Sequence, residues 1–593
     1  MKAAAYIVDY LARRGVEHFF GYQGTMIAHF VDAIERDPRT ENHVCYNEQG
    51  AAFAACGLAQ RRDDVAVAYA TSGPGAVNLM SGIANAYYDS LPVIFITGQI
   101  NSYEYTDIPE LRQQGFQETD VVSMAKGITK MAVQVREAEE LPGLLSRAWE
   151  LCREGRRGPV LIDLPMNIQR SDVSEEAIRA QQTVDERACG RPAVDASPEG
   201  RAEEAAGAIF NALCAAERPV LLLGNGAHDA AARQGLLDIC HRLHIPVVTS
   251  MISPLPAEDP CNLGYLGSAY GHRWANIIAG TKADLLLCFG ISLCPRQVGF
   301  KQDSFAPGAR VVRVDVDPAS LKRRLHSDDS ETGFVARVEE VAPALAARLA
   351  AAEAAGEAPD FGDWLALCHD IKARLAACDA DADWRLPNRV VELLSGTLLS
   401  GCDSVGIDVG QHMVWAGQSF GRRAGQRLLF SGGHGAMGYG LPAAIGAHYA
   451  TGGPVGCICG DGSFQMNIQE LQWVARDRLP IRIVVMNNQS LGLIVQQQGD
   501  FFDGVYAGAI PEFGFSPCKF AEVAKAYGIP SARIGAEELL AQGAPEAADA
   551  GPFLLEVVYE EQTMAYPKTY FGETMFEQRP YVPRELLDEI AEL

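Results

Sequence analysis

Between Pro454 and Asn488 the chain reads as an apolar run, a tight glycine turn, a helix-spaced segment and a second apolar run. PVGCIC is the first run and IRIVVM the second. GDG stands at the turn, and QMNIQELQWVARD repeats its apolar residues at helical spacing between them. That order is one strand–helix–strand unit, and its strands are parallel, because the helix carries the chain back to the end where the first strand began. Both strands then open on one sheet edge, where open α/β sheets bind ligands. Asp461, between Gly460 and Gly462, and Asn488, beside Asn487, are expected side by side there. A carboxylate and an amide oxygen suit a hard cation such as Mg2+, which keeps positions open for phosphate oxygens. The flanking glycines let backbone N–H groups approach the same phosphates. The first expectation is a Mg2+–diphosphate site.

The same block occurs near the start: VAVAYA, SGPG, AVNLMSGIANAYYDS, then PVIFITG. With helical AAYIVDYLARRG before it and the strand PVLIDLP after it, residues 1–170 read as one α/β domain. Residues 171–192 are polar and mixed, a linker pattern. A second α/β domain spans 190–345, from RPVLLLGNGAHDA through ADLLLCFG and ARVVRVDVDP. Residues 346–385 read as an Ala-rich helix and a connector. A third α/β domain, 386–560, holds the opening stretch, and a tail, 561–593, carries Pro567, Pro580 and Pro583 before helix-like PRELLDEIAEL. The fold class is α/β, three consecutive parallel-sheet domains. The shared block in the first and third invites a duplication reading, although no residue-level repeat is visible.

A chain of 593 residues accommodates roughly three or four domains. Its net charge of −25 argues against nucleic acid and anionic membrane as partners, and an anionic ligand would need a metal or local positive charge. The 15 cysteines contain no CxxC pair, so buried reduced thiols in a cytoplasmic protein are expected rather than disulfides or a thiolate metal site. The first twenty residues lack the apolar core of a signal peptide, and no run reaches the ~18 apolar residues of a membrane span.

Three further segments carry chemistry. DVGQHMVWAG (408–417) and SGGHGAMGYGLPAAIGA (431–447) set polar groups and crowded glycines before helices; read alone, they are ordinary helix starts and close packing. YNEQGAAFAACGLAQ (46–60) opens a helix at Glu48. A carboxyl beside Ala51, Ala52, Phe53 and Ala54 is poorly solvated and tends to donate or share a proton. Read alone, it is rather a solvated helix N-terminal Glu favoured by the dipole.

Taken together, GDGS followed by NN resembles the thiamine diphosphate signature. GQHMVWA, GGHGAMGYGLPAAIG, NEQGAAFAACGLAQ, ATSGPGAVNLMSGIANAYYDSLPVIFITGQ and GFQETDV resemble the acetolactate synthase branch of that family, in order along nearly the whole chain. The resemblance implies pyrimidine-binding, central and diphosphate-binding domains. It also implies an active site shared between the first domain of one subunit and the third of another, hence a homodimer or homotetramer. Carried onto this chain, it makes Asp461, Asn488 and the Ser490 carbonyl the Mg2+ ligands, and Gln411, His412, Gly462 and Ser463 the diphosphate contacts. Gly435 and Met437 would meet the aminopyrimidine, Met437 as an apolar wedge. Glu48 would share a proton with the pyrimidine ring and Gln117 would orient the acceptor. The implied activity is a 2-oxoacid decarboxylase/carboligase that moves a two-carbon unit from pyruvate to a carbonyl acceptor.

The departures bear on the substrate. Gln497 stands where the branch carries a tryptophan beside the acceptor, which points to a more polar acceptor. In GISLCPRQVG, Arg296 keeps one arginine of a segment that in the family lies near flavin and substrate, so it is a candidate for a substrate carboxylate or for FAD, whose binding stays open. The tail loosely resembles those of related enzymes in polysaccharide and secondary-metabolite pathways. Competing readings are a thiamine-dependent C–C hydrolase or simple decarboxylase, a nucleotide-binding dehydrogenase suggested by GNGAHDA, and a non-catalytic subunit, against which Glu48, Asp461 and Asn488 all stand.

Overall fold

The computed structural model describes residues 1–106, 108, 110–188, 200–326, 329–545, 551–570 and 572–593. Three six-stranded sheets, each wholly parallel, follow one another along the chain. The first holds β1 (His18–Gly21), β2 (Glu41–Val44), β3 (Ala66–Ala70), β4 (Val93–Gln99), β5 (Met131–Gln134) and β6 (Val160–Pro165), in the order β2-β1-β3-β4-β6-β5. The second holds β7 (Pro219–Leu223), β8 (Val247–Thr249), β9 (Asn262–Tyr265), β10 (Leu285–Phe289), β11 (Arg310–Asp315) and β12 (Glu331–Val335), ordered β12-β11-β10-β7-β8-β9. The third holds β13 (Ser404–Ile407), β14 (Arg427–Phe430), β15 (Val455–Gly460), β16 (Ile481–Asn487), β17 (Ser531–Gly535) and β18 (Phe553–Val558), ordered β14-β13-β15-β16-β18-β17.

Counted from its own first strand, the third sheet repeats the order of the first. The duplication reading therefore has a counterpart in topology. The central sheet has the other doubly wound order, that of dinucleotide-binding folds. Its switch point between β7 and β10 is shut, however. Gly226 N donates to Gly290 O at 2.9 Å, and a Cβ on Gly224 would lie 2.1 Å from that same carbonyl oxygen. The GNGAHDA turn is thus packed against the loop after β10.

The first and third domains share one apolar core. At its centre the Glu48 helix (Glu48–Arg62) crosses the Gly440 helix (Gly440–Thr451). Both are rich in Ala and Gly, so their backbones approach closely: a Cβ on Gly446 would lie 1.8 Å from the Ala54 carbonyl oxygen. A helix with small residues on every side is buried all round, which explains why AAFAACGLA shows no polar stripe.

Several sequence expectations change. The segment after GDG is not one helix. Asp461–Gln465 stops, a 3-10 turn covers Ile468–Glu470, and Leu471–Arg476 resumes. At the break Asn467 turns inward, its Nδ2 donating to Gly438 O at 2.9 Å and to Gln49 Oε1 at 3.1 Å. That tie joins the glycine segment to the Glu48 helix. The expected linker 171–192 carries a helix, Glu175–Ala188, held to the first domain by Asp185 through Arg14 and Ser146; the boundary placed at 190 lies outside the described residues. The expected single helix within 346–385 is two, Val338–Ala355 and Gly362–Asp379. The tail folds onto the central domain: buried Arg273 pairs with Asp379 and donates to the carbonyls of Gln578 and Pro580. Among the described residues no helix is long and apolar enough to cross a membrane.

Candidate active site

The loops at the carboxyl ends of β13, β14, β15 and β16 converge on one edge of the third sheet. Asp461 follows β15 and Asn488 follows β16, and the two strands pair in register up to Gly460 and Met486. Asp461 is buried. Its Oδ1 accepts from Gly462 N at 2.7 Å and its Oδ2 from Ser490 N at 3.1 Å, so the two loops are tied through this carboxyl. Burial pushes its pKa up to about 7. Asn488 donates through Nδ2 to Gln411 Oε1 at 2.9 Å and to Thr563 Oγ1 at 2.8 Å, which leaves Oδ1 as an acceptor without a protein donor among the described residues. Asn487, by strand alternation, turns to the other side and donates to buried Glu556. The pair NN thus divides its labour, one amide for the core and one for the edge.

The glycines of GDG are explained by close approach. A Cβ on Gly460 would lie 2.7 Å from His412 Nδ1, and one on Gly462 would lie 2.4 Å from Leu491 Cδ2 and 3.5 Å from Met437 Cε. His412 and Gln411 begin the helix Gln411–Ser419 after β13, and both are buried. Burial drives the His412 pKa down to about 3, so the ring is a neutral hydrogen-bonding group. Its Nε2 lies 3.5 Å from Ser463 Oγ. Met437 closes the cradle from above, on the segment where Gly435 takes φ +69°. An oxygen set of carboxylate, amide and backbone carbonyl beneath backbone N–H groups fits a divalent cation holding a diphosphate.

The glycine segment is braced by two aspartates to which the sequence reading assigned no role. Buried Asp408 accepts from Gly438 N and Gly440 N at 2.9 and 3.1 Å. Buried Asp89, in the first domain, accepts from Gly433 N at 2.6 Å and Gly432 N at 3.2 Å, and burial pushes its pKa up to about 7. Two tail-side groups were also missed. Thr563 Oγ1 donates to Gln411 Oε1 at 2.8 Å, and the Gln496 amide pairs with the backbone of Ala565. Nothing local marked Asp89 or Thr563; Asp408, at the end of an apolar run before Gly410, had only its place at a strand end as a signal.

Glu48 is the first residue of its helix, capped by Asn47, and is buried. Its Oε2 accepts from Asn78 Nδ2 at 2.9 Å, and a Cβ on Gly75 would lie 3.0 Å from its Oε1. Asn78 also lines an open cleft of about 470 Å³ with Gly73, Val77, Phe116 and Gln117. Gln117 holds φ 63°, which turns the loop over Gly73. All these residues belong to the first domain, and the Glu48 hydrogen bond stays within it. Asn78 thus links Glu48 to the cleft that holds Gln117, and Asp461, Asn488, Ser490, Gln411, His412, Ser463, Gly462 and Met437 gather at the edge of the third sheet, one half-site on each domain. Phe116 is 78 % exposed at the mouth of the first.

Gln497 is exposed on the helix Gly492–Phe501. The tail grips this helix: Lys568 Nζ lies 2.6 Å from Asp500 Oδ2, and Tyr570 Oη donates to Asp500 Oδ1 at 2.9 Å. Arg296 is exposed on Pro295–Val298, close enough for its charge to act, with that of Asp500, on half-buried Tyr270.

Three family models match in order: the thiamine pyrophosphate enzyme N-terminal TPP binding domain over residues 1–124, the central domain over 207–345 and the C-terminal TPP binding domain over 408–557. The large subunit of acetolactate synthase isozyme 1 from Escherichia coli is 34% identical over 574 residues, covering 95% of each chain. The isozyme 2 large subunit from the same organism is 33% identical, over 96% of this chain and 97% of its own. The chloroplastic acetolactate synthase 1 of Zea mays is 33% identical, over 95% of this chain and 86% of its own.

Proposed function

We propose a function on one premise: this chain belongs to the thiamine pyrophosphate enzyme family, within its acetolactate synthase branch. It is a thiamine diphosphate- and Mg2+-dependent 2-oxoacid decarboxylase/carboligase that transfers a two-carbon unit from pyruvate to a carbonyl acceptor. The chemistry supplied by the bound cofactor is a nucleophilic carbon and an electron sink for loss of CO2. Asp461, Asn488 Oδ1 and the Ser490 carbonyl hold Mg2+, and a cation there relieves the burial cost that raises the Asp461 pKa. Gly462, Ser463, Gln411 and His412 bind the diphosphate, the neutral ring of His412 adding no competing charge. Met437 and the Gly435 backbone shape the aminopyrimidine pocket. Glu48 holds the proton it shares with that ring, positioned by Asn78. Gln117, at the cleft beside Asn78, orients the acceptor; Arg296 and Gln497 supply a carboxylate partner and a polar wall on the acceptor side.

The observation that carries this reading is the convergence of Asp461, Asn488 and Ser490 beneath Met437 at one sheet edge. The two half-sites support a homodimer in which the first domain of one subunit covers the third-domain cradle of the other. Exposed Val77, Tyr87, Tyr88, Phe116 and Met466 give such an interface its apolar surface. A flavin is a poorer fit: the shut turn at Gly224 and Gly290 leaves no open phosphate cradle at the central switch point. The test is CO2 release from carboxyl-labelled pyruvate with thiamine diphosphate and Mg2+, products identified by mass. Label release with a coupled two-carbon product is expected; none from cofactor-loaded protein would withdraw pyruvate as the donor.

A further inference from the structure

At the far edge of the first sheet, β1 and β2 run side by side with His18 paired to Glu41 and Phe20 paired to His43. Residues two apart on a strand share a face, so Glu41 and His43 project to the same side as His18. The result is a cluster of two imidazoles and a carboxylate. His18 Nδ1 lies 2.9 Å from His43 Nε2, and Glu41 Oε2 lies 3.7 Å from each of those nitrogens. A point equidistant from the three atoms lies about 2.0 Å from each, the bond length zinc takes to imidazole nitrogen and carboxylate oxygen.

We infer that this chain binds one zinc-class divalent cation through His18 Nδ1, His43 Nε2 and Glu41 Oε2, with water completing the coordination. The ligand set is two soft-to-borderline nitrogens and one oxygen, which favours zinc-class ions over the Mg2+ suited to the all-oxygen set at Asp461. The surroundings fix the imidazoles. The His43 ring packs 3.8 Å, centroid to centroid, from Tyr449 of the third domain, and stacks on Phe20. His18 also faces Tyr449. Without a cation the two facing nitrogens share one proton in a hydrogen bond. Moving that proton to the far nitrogen of its own ring frees both lone pairs, with no net proton released. For His18 that far nitrogen, Nε2, lies 3.9 Å from Glu17 Oε2, which itself accepts from Arg62 at 3.3 Å. Only Glu41 is open to water, its side chain 68 % exposed against 12 % for His18 and 7 % for His43. His18 and Glu41 begin their strands, so the cluster lies toward the amino ends of β1 and β2, away from the carboxyl-end loops that carry Glu48. Its occupant would clamp an edge strand beside the contact between the first and third domains.

Among the described residues there is one competing cluster, His241, Asp259 and Cys261. There the thiol is pushed up to about 12 by burial, and Asp259 Oδ1 already accepts from Cys261 N, which makes it a turn motif. The experiment is equilibrium dialysis of the full chain, loaded with thiamine diphosphate and Mg2+, against Zn2+, with bound metal counted by mass spectrometry. Wild type is expected to retain about one Zn2+ per chain. Glu41→Gln, on an exposed side chain that leaves the fold intact, weakens binding by more than about tenfold, and His18→Gln abolishes it. Co2+ gives the intense visible bands of four-coordination in wild type and loses them in Glu41→Gln. Failure to retain Zn2+, equal retention in these variants, or loss confined to Cys261→Ser would overturn the inference.

Discussion

At the scale of single residues, the site is made of buried acids that do different work. Asp461 ties the loops after β15 and β16, Asp89 and Asp408 hold glycine backbones, and Glu48 accepts from Asn78 behind the first-domain cleft. Their variants should separate accordingly. Glu48→Gln is expected to keep the dissociation constant of thiamine diphosphate within about threefold while losing on the order of 10²–10⁴ in kcat, because it removes a proton relay and not a binding group. Asp461→Ala should instead raise that dissociation constant by more than about tenfold; calorimetric titration with Mg2+ reads both. Asp89 makes a pH prediction. Burial raises its carboxyl from 3.8 to about 7, so the folded chain binds a proton that the unfolded chain has released. Stability contributed by this group is therefore greatest at low pH and is lost as pH rises through about 7. Urea melts should show wild type losing stability relative to Asp89→Asn as pH rises from about 4 to about 7, with a constant difference above that, since the Asn carries no titrating proton; parallel curves throughout would exclude Asp89 as the group.

At the scale of elements, glycine is used for space more than for turns. Gly460 and Gly462 make room for His412 and Leu491, and Gly446 lets the Gly440 helix touch the Ala54 backbone. Gly446→Ala should destabilise the chain by about 1–3 kcal/mol despite the better helix propensity of alanine, because the new methyl meets a carbonyl oxygen that cannot rotate away. Gly396→Ala, where a Cβ meets nothing within 4 Å, should stay within about 0.5 kcal/mol. Chemical denaturation measures both. The broken helix after GDG belongs to this scale too. Its period promised a continuous helix, but Asn467 gains buried partners in Gly438 and Gln49 by interrupting it. A side chain that far along the chain from its partners, 29 residues in one case, leaves no mark on local periodicity.

At the scale of the molecule, Glu48 lies on the first domain and the Asp461 cradle on the third. If they meet across a homodimer, mixing inactive Glu48→Gln with inactive Asp461→Ala should restore roughly a quarter of wild-type activity, because half the dimers are mixed and one of the two sites in each is intact. A site closed within one chain would give no rescue. The strand–glycine–helix–strand blocks made the α/β class, the parallel sheets and the positions of Asp461 and Asn488 legible from residue order alone, because they rest on local periodicity and on the requirement that parallel strands open on one edge. The glycine-segment and Glu48 motifs were legible through their resemblance to known enzymes. What the order of residues left undecided was every partnership between distant segments. Thr563 reaches back to Gln411 over 152 residues, Asp89 supports Gly433 over 344, and His18 finds His43 through the pairing of two short strands. Such contacts depend on which surfaces come together when the apolar faces are buried, and burial is a property of the folded whole that no short window of sequence contains.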